Sequence, residues 1–388
     1  MSTRVMIPFL LFAFTGGLAA PAYPQTAPAS LPKATEKILK EIKVGREILA
    51  GLDEELKVPP AWIEGAKKEG KLRVLSVWDP PQAAEVFGPF KERYPFINIT
   101  YNRASTEERV IKPLVAYKTG RIVTDLVSDM GGGFHAWKEA SALEDLRNIP
   151  NLKNIPPLII DSSGGLLVGL RYRYWCMAYN TKLVKKEDLP KKWGDLLTNP
   201  IWRNGNLGIG NRPELWAFML WKANGEQWTK DFLTRLFSEL KPQLRKEGMN
   251  AMLQLLGAGE FYATIPSAEY RVQQEVLEGT PISYTCPEPV PVATSEIGIV
   301  KGTPNINSAR LLVNWLLSKE GQLAQYAGDF SPPIHKGLQR RELVPFAEEI
   351  LGKPASVRDP GLQTEIGPKV INFWNELWIR GGSQPKGK

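Results

Sequence analysis

The chain has 388 residues, with 49 Lys or Arg against 41 Asp or Glu, so its formal charge is +8. Its 43% hydrophobic and 23% charged residues exclude wholesale disorder, and the length suggests two or three packing units. The basic excess is scattered, whereas a nucleic-acid-binding protein needs a concentrated basic surface. We therefore expect no nucleic-acid partner.

The first residues have the pattern of a signal peptide. Arg4 precedes the apolar residues 5–14, and small residues end in Ala20-Pro21-Ala22, an A-x-A cleavage pattern. No later stretch approaches the roughly 18 apolar residues of a membrane-spanning helix. We therefore predict a signal peptide at residues 1–22, cleaved near Ala22, and a mature protein in the periplasm. The first cysteine is Cys176, so no lipid-accepting cysteine lies near the cleavage site.

Residues 23–67 predict a linker and an amphipathic helical arm. Apolar residues recur near helical spacing over residues 36–57, and Pro59-Pro60 ends the pattern. The arrangement favours packing of the arm on the domain behind it over binding of a partner.

From residue 71 onward, strands alternate with helices. Strands are predicted at residues 72–77, 97–101 and 123–127, and helices at residues 82–94 and from Ser105, where Glu108 completes a capping box. Such alternation is typical of a mostly parallel sheet that binds ligands beyond the carboxyl ends of its strands. Trp78, Asp79, Arg103, Ser105 and Asp129 follow or end these strands, so we predict that they line a ligand cleft.

A second α/β unit begins near Trp175. It contains a strand and turn at residues 206–211, a Trp-rich helix from Glu214 and a further helix at residues 227–240. A strand at residues 297–300 and a helix at residues 307–317 then return to the first pattern. The chain is therefore expected to leave one α/β unit, build another, and come back.

Sequence signatures of enzymes are absent. The only histidines are His135 and His335, and the chain has no nucleophile elbow, zinc-helix motif or phosphate-binding glycine loop. No cofactor is expected. Cys176 and Cys286 are compatible with one disulfide or with two buried thiols.

Six segments occur in an order and spacing that resemble one family. They are Glu69-Gly70-Lys71, Phe90-Lys91-Glu92-Arg93-Tyr94-Pro95, Gly120-Arg121 with Thr124-Asp125, Tyr179-Asn180-Thr181-Lys182-Leu183 with Asp188-Leu189-Pro190, Gly279-Thr280-Pro281-Ile282 with Pro287-Glu288, and Ser318-Lys319-Glu320-Gly321-Gln322. Together they resemble the extracellular solute-binding proteins of ABC importers, in the ferric-iron, phosphonate and thiamine branch. The resemblance covers about residues 60–350.

The resemblance implies a type II periplasmic-binding fold, in which strands cross twice between two α/β lobes. Lobe 1 is expected at residues 68–174 and 294–342, and lobe 2 at residues 175–293 and 343–388. The signal peptide and the helical arm precede them. The implied function is that of a monomeric receptor that closes on a small solute by hinge motion and delivers it to an ABC permease in the inner membrane, without catalysis.

The resemblance also implies candidate ligand residues. The positions that hold Fe(III) in iron-binding relatives correspond to Asp79, Asp129 and the pair Glu269-Tyr270, where those relatives have two tyrosines. If the ligand is Fe(III), Asp79, Glu269 and Tyr270 are the expected metal ligands. The helix start that binds anions in other relatives falls at Arg212, and Arg173 lies beside the first crossing.

Three ligand classes remain open at this point. The arginines favour an organic anion, the carboxylates with Tyr270 favour Fe(III) or an iron complex, and carboxylates with aromatic faces suit a polyamine. Two other functions are also open. The first is a periplasmic enzyme on the same scaffold, for which Cys176, Cys286 and His135 are the candidate residues. The second is a sensor that reports ligand binding to a membrane receptor.

Overall fold

The structure, a computed structural model, describes residue 28 and residues 30–105, 107–130, 133–157, 165–358 and 360–382. The predicted signal peptide at residues 1–22 lies outside the described residues. The described chain divides into two compact units. The N-terminal unit comprises residues 28–172 and 294–344, and the C-terminal unit comprises residues 173–293 and 345–382.

Ten strands lie within the described residues and are named β1 to β10 in chain order. They are Lys71–Ser76, Asn98–Arg103, Leu126–Ser128, Val168–Asn180, Leu207–Gly210, Gln243–Arg245, Ala263–Ala268, Ile282–Thr285, Val290–Ile299 and Ala355–Val357.

Fourteen α-helices lie within the same described ranges and are named α1 to α14. They are Lys33–Glu41, Leu52–Glu55, Pro60–Glu69, Pro80–Arg93, Lys112–Lys118, Phe134–Glu139, Ala217–Asn224, Glu226–Leu240, Met249–Gly257, Glu269–Leu277, Ile306–Leu316, Lys319–Asp329, Ala347–Ile350 and Pro360–Gly382. The three strands predicted at residues 72–77, 97–101 and 123–127 correspond to β1 to β3, although β3 begins only at Leu126, and the predicted helix at 227–240 is confirmed as α8.

The sheet of the N-terminal unit contains β2, β1, β3 and β9 in that order. β1 pairs in parallel with both β2 and β3, with Val74 opposite Tyr101 and Leu126. β9, which returns from the C-terminal unit, pairs antiparallel with β3. The parallel arrangement predicted for the first three strands is confirmed, and it places their carboxyl ends at one edge.

The C-terminal unit has a mixed sheet. β7, β5 and β6 are parallel neighbours, whereas β4 runs antiparallel to both β7 and β8. The antiparallel β4 therefore makes this sheet mixed. The core of this unit is rich in tryptophan, and Trp193, Trp216 and Trp374 are fully buried against one another.

The N-terminal arm packs on the N-terminal unit, as expected. Ile38, Leu39, Leu49 and Leu52 are buried in the core that also holds the strands of this unit. The arm consists of short helices. The segment forms α1, a short 3-10 helix and α2, and Gly51, at a φ of 82°, separates the last two.

One carboxylate joins three segments of the N-terminal unit. Glu320, in the first turn of α12, is almost fully buried and accepts hydrogen bonds from Thr35 of the arm (2.6 Å), Arg93 of α4 (Nη2, 2.8 Å) and the indole of Trp315 (2.7 Å). A buried carboxylate is stable only when donors and a cation surround it. Glu320 therefore ties the arm, α4 and α12 together.

Glu320→Gln is expected to lower the free energy of unfolding by about 3 kcal/mol, because it leaves the Arg93 guanidinium without its partner in a largely buried site. Urea denaturation would measure the loss. Glu64→Gln is the matched control, since Glu64 forms an exposed pair with Lys67, and it should leave the unfolding midpoint in urea almost unchanged. Equal losses for the two variants would contradict this role of Glu320.

Cys176 and Cys286 form a disulfide within the C-terminal unit. Cys176 lies on β4, and Cys286 directly follows β8, which pairs with β4. The question left open by the sequence is thus settled in favour of a bridge, which closes a loop with a sequence separation of 110.

Replacing both cysteines with alanine is expected to lower the free energy of unfolding by roughly 4 kcal/mol, because the unfolded chain regains the entropy of a long loop. Denaturation of the oxidised wild type, with and without a reductant, would measure the effect. The reductant should destabilise the wild type and leave the double variant unchanged. An unfolding midpoint that is identical for all samples would overturn the expectation.

Candidate functional site

The carboxyl end of β1 places Asp79 at the start of α4. Its backbone N–H donates to the Gln82 side chain (2.8 Å), and its carboxylate pairs with Arg103 at the end of β2 (Nε to Oδ1, 2.8 Å). Asp79 and Arg103 are brought together because β1 and β2 are parallel and end at the same edge. The charge of Asp79 is thus balanced within the protein.

Trp78 precedes Asp79 and is buried rather than open to a ligand. The guanidinium carbon of Arg171 lies 4.4 Å from the centre of its ring, and the hydroxyl of Tyr101 donates to its carbonyl oxygen (2.6 Å). Cation–π stacking of this kind is strengthened by exclusion of water. Burial raises the pKa of Tyr101 well above its ordinary value, so its hydroxyl stays protonated and able to donate.

Arg171 lies on β4 and only 1% of its side chain is exposed. Two carboxylates lie close to it, with Asp329 Oδ2 3.7 Å from Nε and Asp129 Oδ2 3.9 Å from Nη2. Its Nη1 also contacts the Gln325 side chain at 3.5 Å. Arg171 is thus the centre of a buried polar cluster.

Asp129 follows β3 in a left-handed backbone conformation, with a φ of 51°. Its carboxylate accepts hydrogen bonds from the hydroxyls of Ser128 (2.9 Å) and Ser295. Its backbone carbonyl accepts from Arg109 (3.1 Å), which also donates to the carbonyl of Ala104 (2.9 Å). Arg109 therefore holds the ends of β2 and β3 in place. No motif signalled Arg109, whose charge alone gives no sign that it is buried.

Ser105 forms the predicted capping box. Its hydroxyl and backbone N–H both donate to Glu108 Oε2 at 3.0 Å. The hydrogen bond from the backbone N–H of Ser105 lowers the pKa of Glu108 most, and the bond from the Ser105 hydroxyl lowers it further. The carboxylate of Glu108 therefore remains ionised. The hydroxyl of Ser105 is therefore engaged in shaping the turn.

In the C-terminal unit, Glu269 and Tyr270 begin α10 at the end of β7. Glu269 is fully buried and accepts a hydrogen bond from the backbone N–H of Tyr174 (2.8 Å). The ring of Tyr270 is partly exposed, and the guanidinium carbons of Arg173 and Arg271 lie 3.9 Å and 5.2 Å from its centre. The phenol is thus surrounded by positive charge.

Arg212 lines a small pocket at the carboxyl end of β5, beside β7. Within the described residues its guanidinium forms no hydrogen bond or ion pair, and the side chain is only partly exposed. The other residues that line the pocket are Gly210, Glu247, Met249, Met252, Thr264 and Pro266. Its charge interacts with that of Glu214. A guanidinium that makes no hydrogen bond within the protein can bind a carboxylate or phosphate in a bidentate manner.

No group of three or more His, Cys, Asp or Glu side chains that could hold a metal ion occurs among the described residues. Of the metal ligands expected for Fe(III), Asp79 belongs to the N-terminal unit, and Glu269 and Tyr270 belong to the C-terminal unit.

The comparison with known protein families accounts for most of the chain. Residues 85–350 match the model of the bacterial extracellular solute-binding protein family. The chain belongs to this family. None of the functionally curated proteins matches this solute-binding protein at a significant level.

Solved structures share the fold of this solute-binding protein. Iron-bound HitA from Pseudomonas aeruginosa is 19% identical, with a TM-score of 0.65 over 79% of this chain and 99% of its own. AfuA from Actinobacillus pleuropneumoniae, bound to fructose-6-phosphate, is 19% identical, with a TM-score of 0.63 over 80% and 99%. FutA from Trichodesmium, bound to iron and citrate, is 14% identical, with a TM-score of 0.63 over 79% and 99%. The predicted two-lobed α/β periplasmic-binding fold is thereby confirmed.

The residues considered for an enzyme are placed unfavourably. The disulfide removes the thiols of Cys176 and Cys286 as nucleophiles, and the His135 side chain is exposed and pairs with Glu139 (3.0 Å).

Among the described helices of this solute-binding protein, none has the length and apolar character needed to cross a membrane.

Arg171 and Arg103 should respond differently to the same substitution. Arg171→Gln is expected to lower the free energy of unfolding by about 3 kcal/mol, because Asp129 and Asp329 lose a buried cation. Arg103→Gln is expected to cost less than about 1 kcal/mol, since its side chain is 55% exposed. Urea denaturation of the two variants tests this, and a larger loss for Arg103→Gln would show that Arg171 is not the structural cation.

Proposed function

We propose that this solute-binding protein is the periplasmic receptor of an ABC importer and that its solute is a small anion, either an organic anion or an iron complex that carries its own anion. Family membership supports the receptor function. The permease in the inner membrane is the proposed partner, and the signal peptide at residues 1–22 is the proposed export signal.

The distribution of protein partners around the charged residues supports an anionic solute. The carboxylates expected to hold bare Fe(III) are engaged within the protein. Asp79 pairs with Arg103, and buried Glu269 accepts the N–H of Tyr174. Two guanidiniums surround the Tyr270 ring and disfavour a further cation there. Among the charged candidates, the guanidinium of Arg212 alone forms no hydrogen bond or ion pair within the described residues. This is the single observation that carries the proposal.

The fold relatives are consistent with an anion. AfuA binds a sugar phosphate, and FutA binds iron together with citrate. In each of these complexes a phosphate or carboxylate is part of the bound species. The guanidinium of Arg212 would bind either group by charge-assisted hydrogen bonds, without a set of metal ligands.

The capture mechanism that we propose is hinge closure. We assign the two lobes to residues 68–174 with 294–342 and to residues 175–293 with 343–388, close to the two compact units. β4 and β9 pass from one unit to the other, and they are the proposed hinge strands. A ligand that contacts both lobes stabilises the closed form by the contacts that exist only there. The closed receptor then presents both lobes to the permease.

Arg212→Gln is expected to weaken binding of the anionic ligand by roughly 10- to 100-fold, the range lost with a charge-assisted hydrogen bond. The protein would be purified under denaturing conditions and refolded, so that it carries no ligand from the cell. Thermal-shift measurements with citrate, ferric citrate, phosphate esters, alkyl carboxylates, amino acids, sugars and spermidine would identify the ligand. A ligand at about 100 times its Kd should stabilise the fold by about 2.7 kcal/mol.

Arg203→Gln is the matched control, because Arg203 is an exposed arginine of the same unit and does not line the pocket. This variant should bind like the wild type. Stabilisation by spermidine or neutral sugars, without a shift for any anion, would refute the anionic solute and leave the family assignment intact.

A further inference from the structure

The loop that follows β4 carries an excess of positive charge. Residues 182–192 contain five lysines and two acidic residues, and we call this segment the lysine loop. The five lysine side chains are exposed, and within the described residues none of them forms an ion pair or a hydrogen bond. They belong to Lys182, Lys185, Lys186, Lys191 and Lys192.

The backbone of the lysine loop is fixed by the rest of the C-terminal unit. Val184 is only 4% exposed, and its N–H donates to the carbonyl of Asn180 at the end of β4 (3.0 Å). At the other end of the loop, the backbone N–H groups of Lys191 and Lys192 donate to Asp195 Oδ2 (3.0 and 2.8 Å). The carboxylate of Asp195 therefore binds the backbone and forms no ion pair with a lysine side chain.

A second lysine-rich stretch, in the arm, uses its charges differently. Residues 33–46 contain four lysines and Arg46. Lys37 pairs with Glu85 of α4 (2.8 Å), and Arg46 pairs with Glu36. Ion pairs of the arm thus balance part of its charge within the protein. The lysine loop has no such pair among the described residues, so its charge is available to an external partner.

The composition of the lysine loop favours a lipid surface over a protein partner. Protein–protein interfaces are enriched in arginine and aromatic residues and depleted in lysine, and the loop contains no arginine and no aromatic residue. A lysine ammonium is a hydrated point charge without the fixed geometry of a guanidinium, so it suits lipid phosphates whose positions vary. Leu183, which is 39% exposed, adds an apolar side chain among the lysines.

We propose that the lysine loop binds the surface of a bilayer that contains anionic phospholipids. The ammonium groups lie against the lipid phosphates, and Leu183 contacts the boundary between headgroups and acyl chains. Such binding keeps the solute-binding protein close to the membrane in which the proposed permease resides. It is a second interaction of the protein, and it does not depend on which solute is bound.

The number of lysines sets the strength of this binding. Each lysine near an anionic bilayer raises the membrane partition coefficient about fivefold. Glu187 and Asp188 lie within the loop and offset part of that gain. The loop therefore binds weakly and reversibly, which allows the receptor to leave the membrane, capture solute and return.

Co-sedimentation of the mature protein, residues 23–388, with lipid vesicles tests the proposal. One set of vesicles consists of phosphatidylcholine alone, and the other contains about 30% phosphatidylglycerol, which is anionic. The protein should bind only the second set at about 0.05 M NaCl. It should be released at about 0.5 M NaCl, because salt screens exposed charges.

Two quadruple variants with the same change in net charge separate the loop from the overall charge. The loop variant combines Lys185→Gln, Lys186→Gln, Lys191→Gln and Lys192→Gln. Its partition coefficient should fall at least about 100-fold. The control variant combines Lys40→Gln, Lys43→Gln, Lys68→Gln and Lys71→Gln in the N-terminal unit. Its partition coefficient should fall less than about fivefold. Both variants should keep the wild-type unfolding midpoint, because every replaced side chain is exposed.

Three outcomes would contradict the proposal. Equal losses of binding in the two variants would show that net charge, rather than the lysine loop, attracts the bilayer. Equal binding of the wild type to both sets of vesicles would exclude recognition of anionic lipid. No binding to either set at low salt would overturn the lipid surface in favour of an acidic protein partner. None of these results bears on solute capture, which the thermal-shift measurements test separately.

Discussion

Burial of a carboxylate requires donors or a cation around it, and this constraint organises the N-terminal unit. Glu320 is surrounded by Thr35, Arg93 and Trp315, and Asp125 by Arg73, Thr303 and Asn305. Although burial would raise the pKa of Asp125, the hydrogen bonds from Arg73 and its other donors hold it below its ordinary value. Each cluster joins elements that are distant in sequence, so the positions of the helices depend on these charges.

The same constraint decides which charged groups remain for a ligand. Arg171 stacks on Trp78 and is placed between two aspartates, so it serves the fold. Asp79 and Arg103 balance each other at the edge of the sheet. After these pairs are formed, the guanidinium of Arg212 in the C-terminal unit has no hydrogen bond or ion pair among the described residues. The charges that the fold does not pair internally are the ones available to a ligand.

Several segments that carry the family resemblance form contacts between elements of the fold. The carboxylate of Glu69 accepts the backbone N–H groups of Asn307 and Ser308 in the first turn of α11, which satisfies donors that a helix start leaves free. Gly321 permits α12 to approach α11, because a Cβ there would lie 2.0 Å from the carbonyl oxygen of Trp315. The segments that revealed the family therefore report on its fold rather than on its ligand.

The α/β alternation, the Ser105 capping box and the packing of the arm could be predicted from the sequence, because they depend on periodicity and spacing among neighbouring residues. The family could be predicted from the order of six segments along the chain. The folded structure was needed to show that Trp78 is buried, that Arg103 pairs with Asp79 and that the two cysteines are bridged. It also brought Met249 and Met252 beside Arg212, although they are 37 and 40 positions away in the chain. Whether a charged side chain pairs within the protein or binds a ligand depends on the groups that lie within a few ångströms of it. The spacing of residues along the chain does not encode those distances.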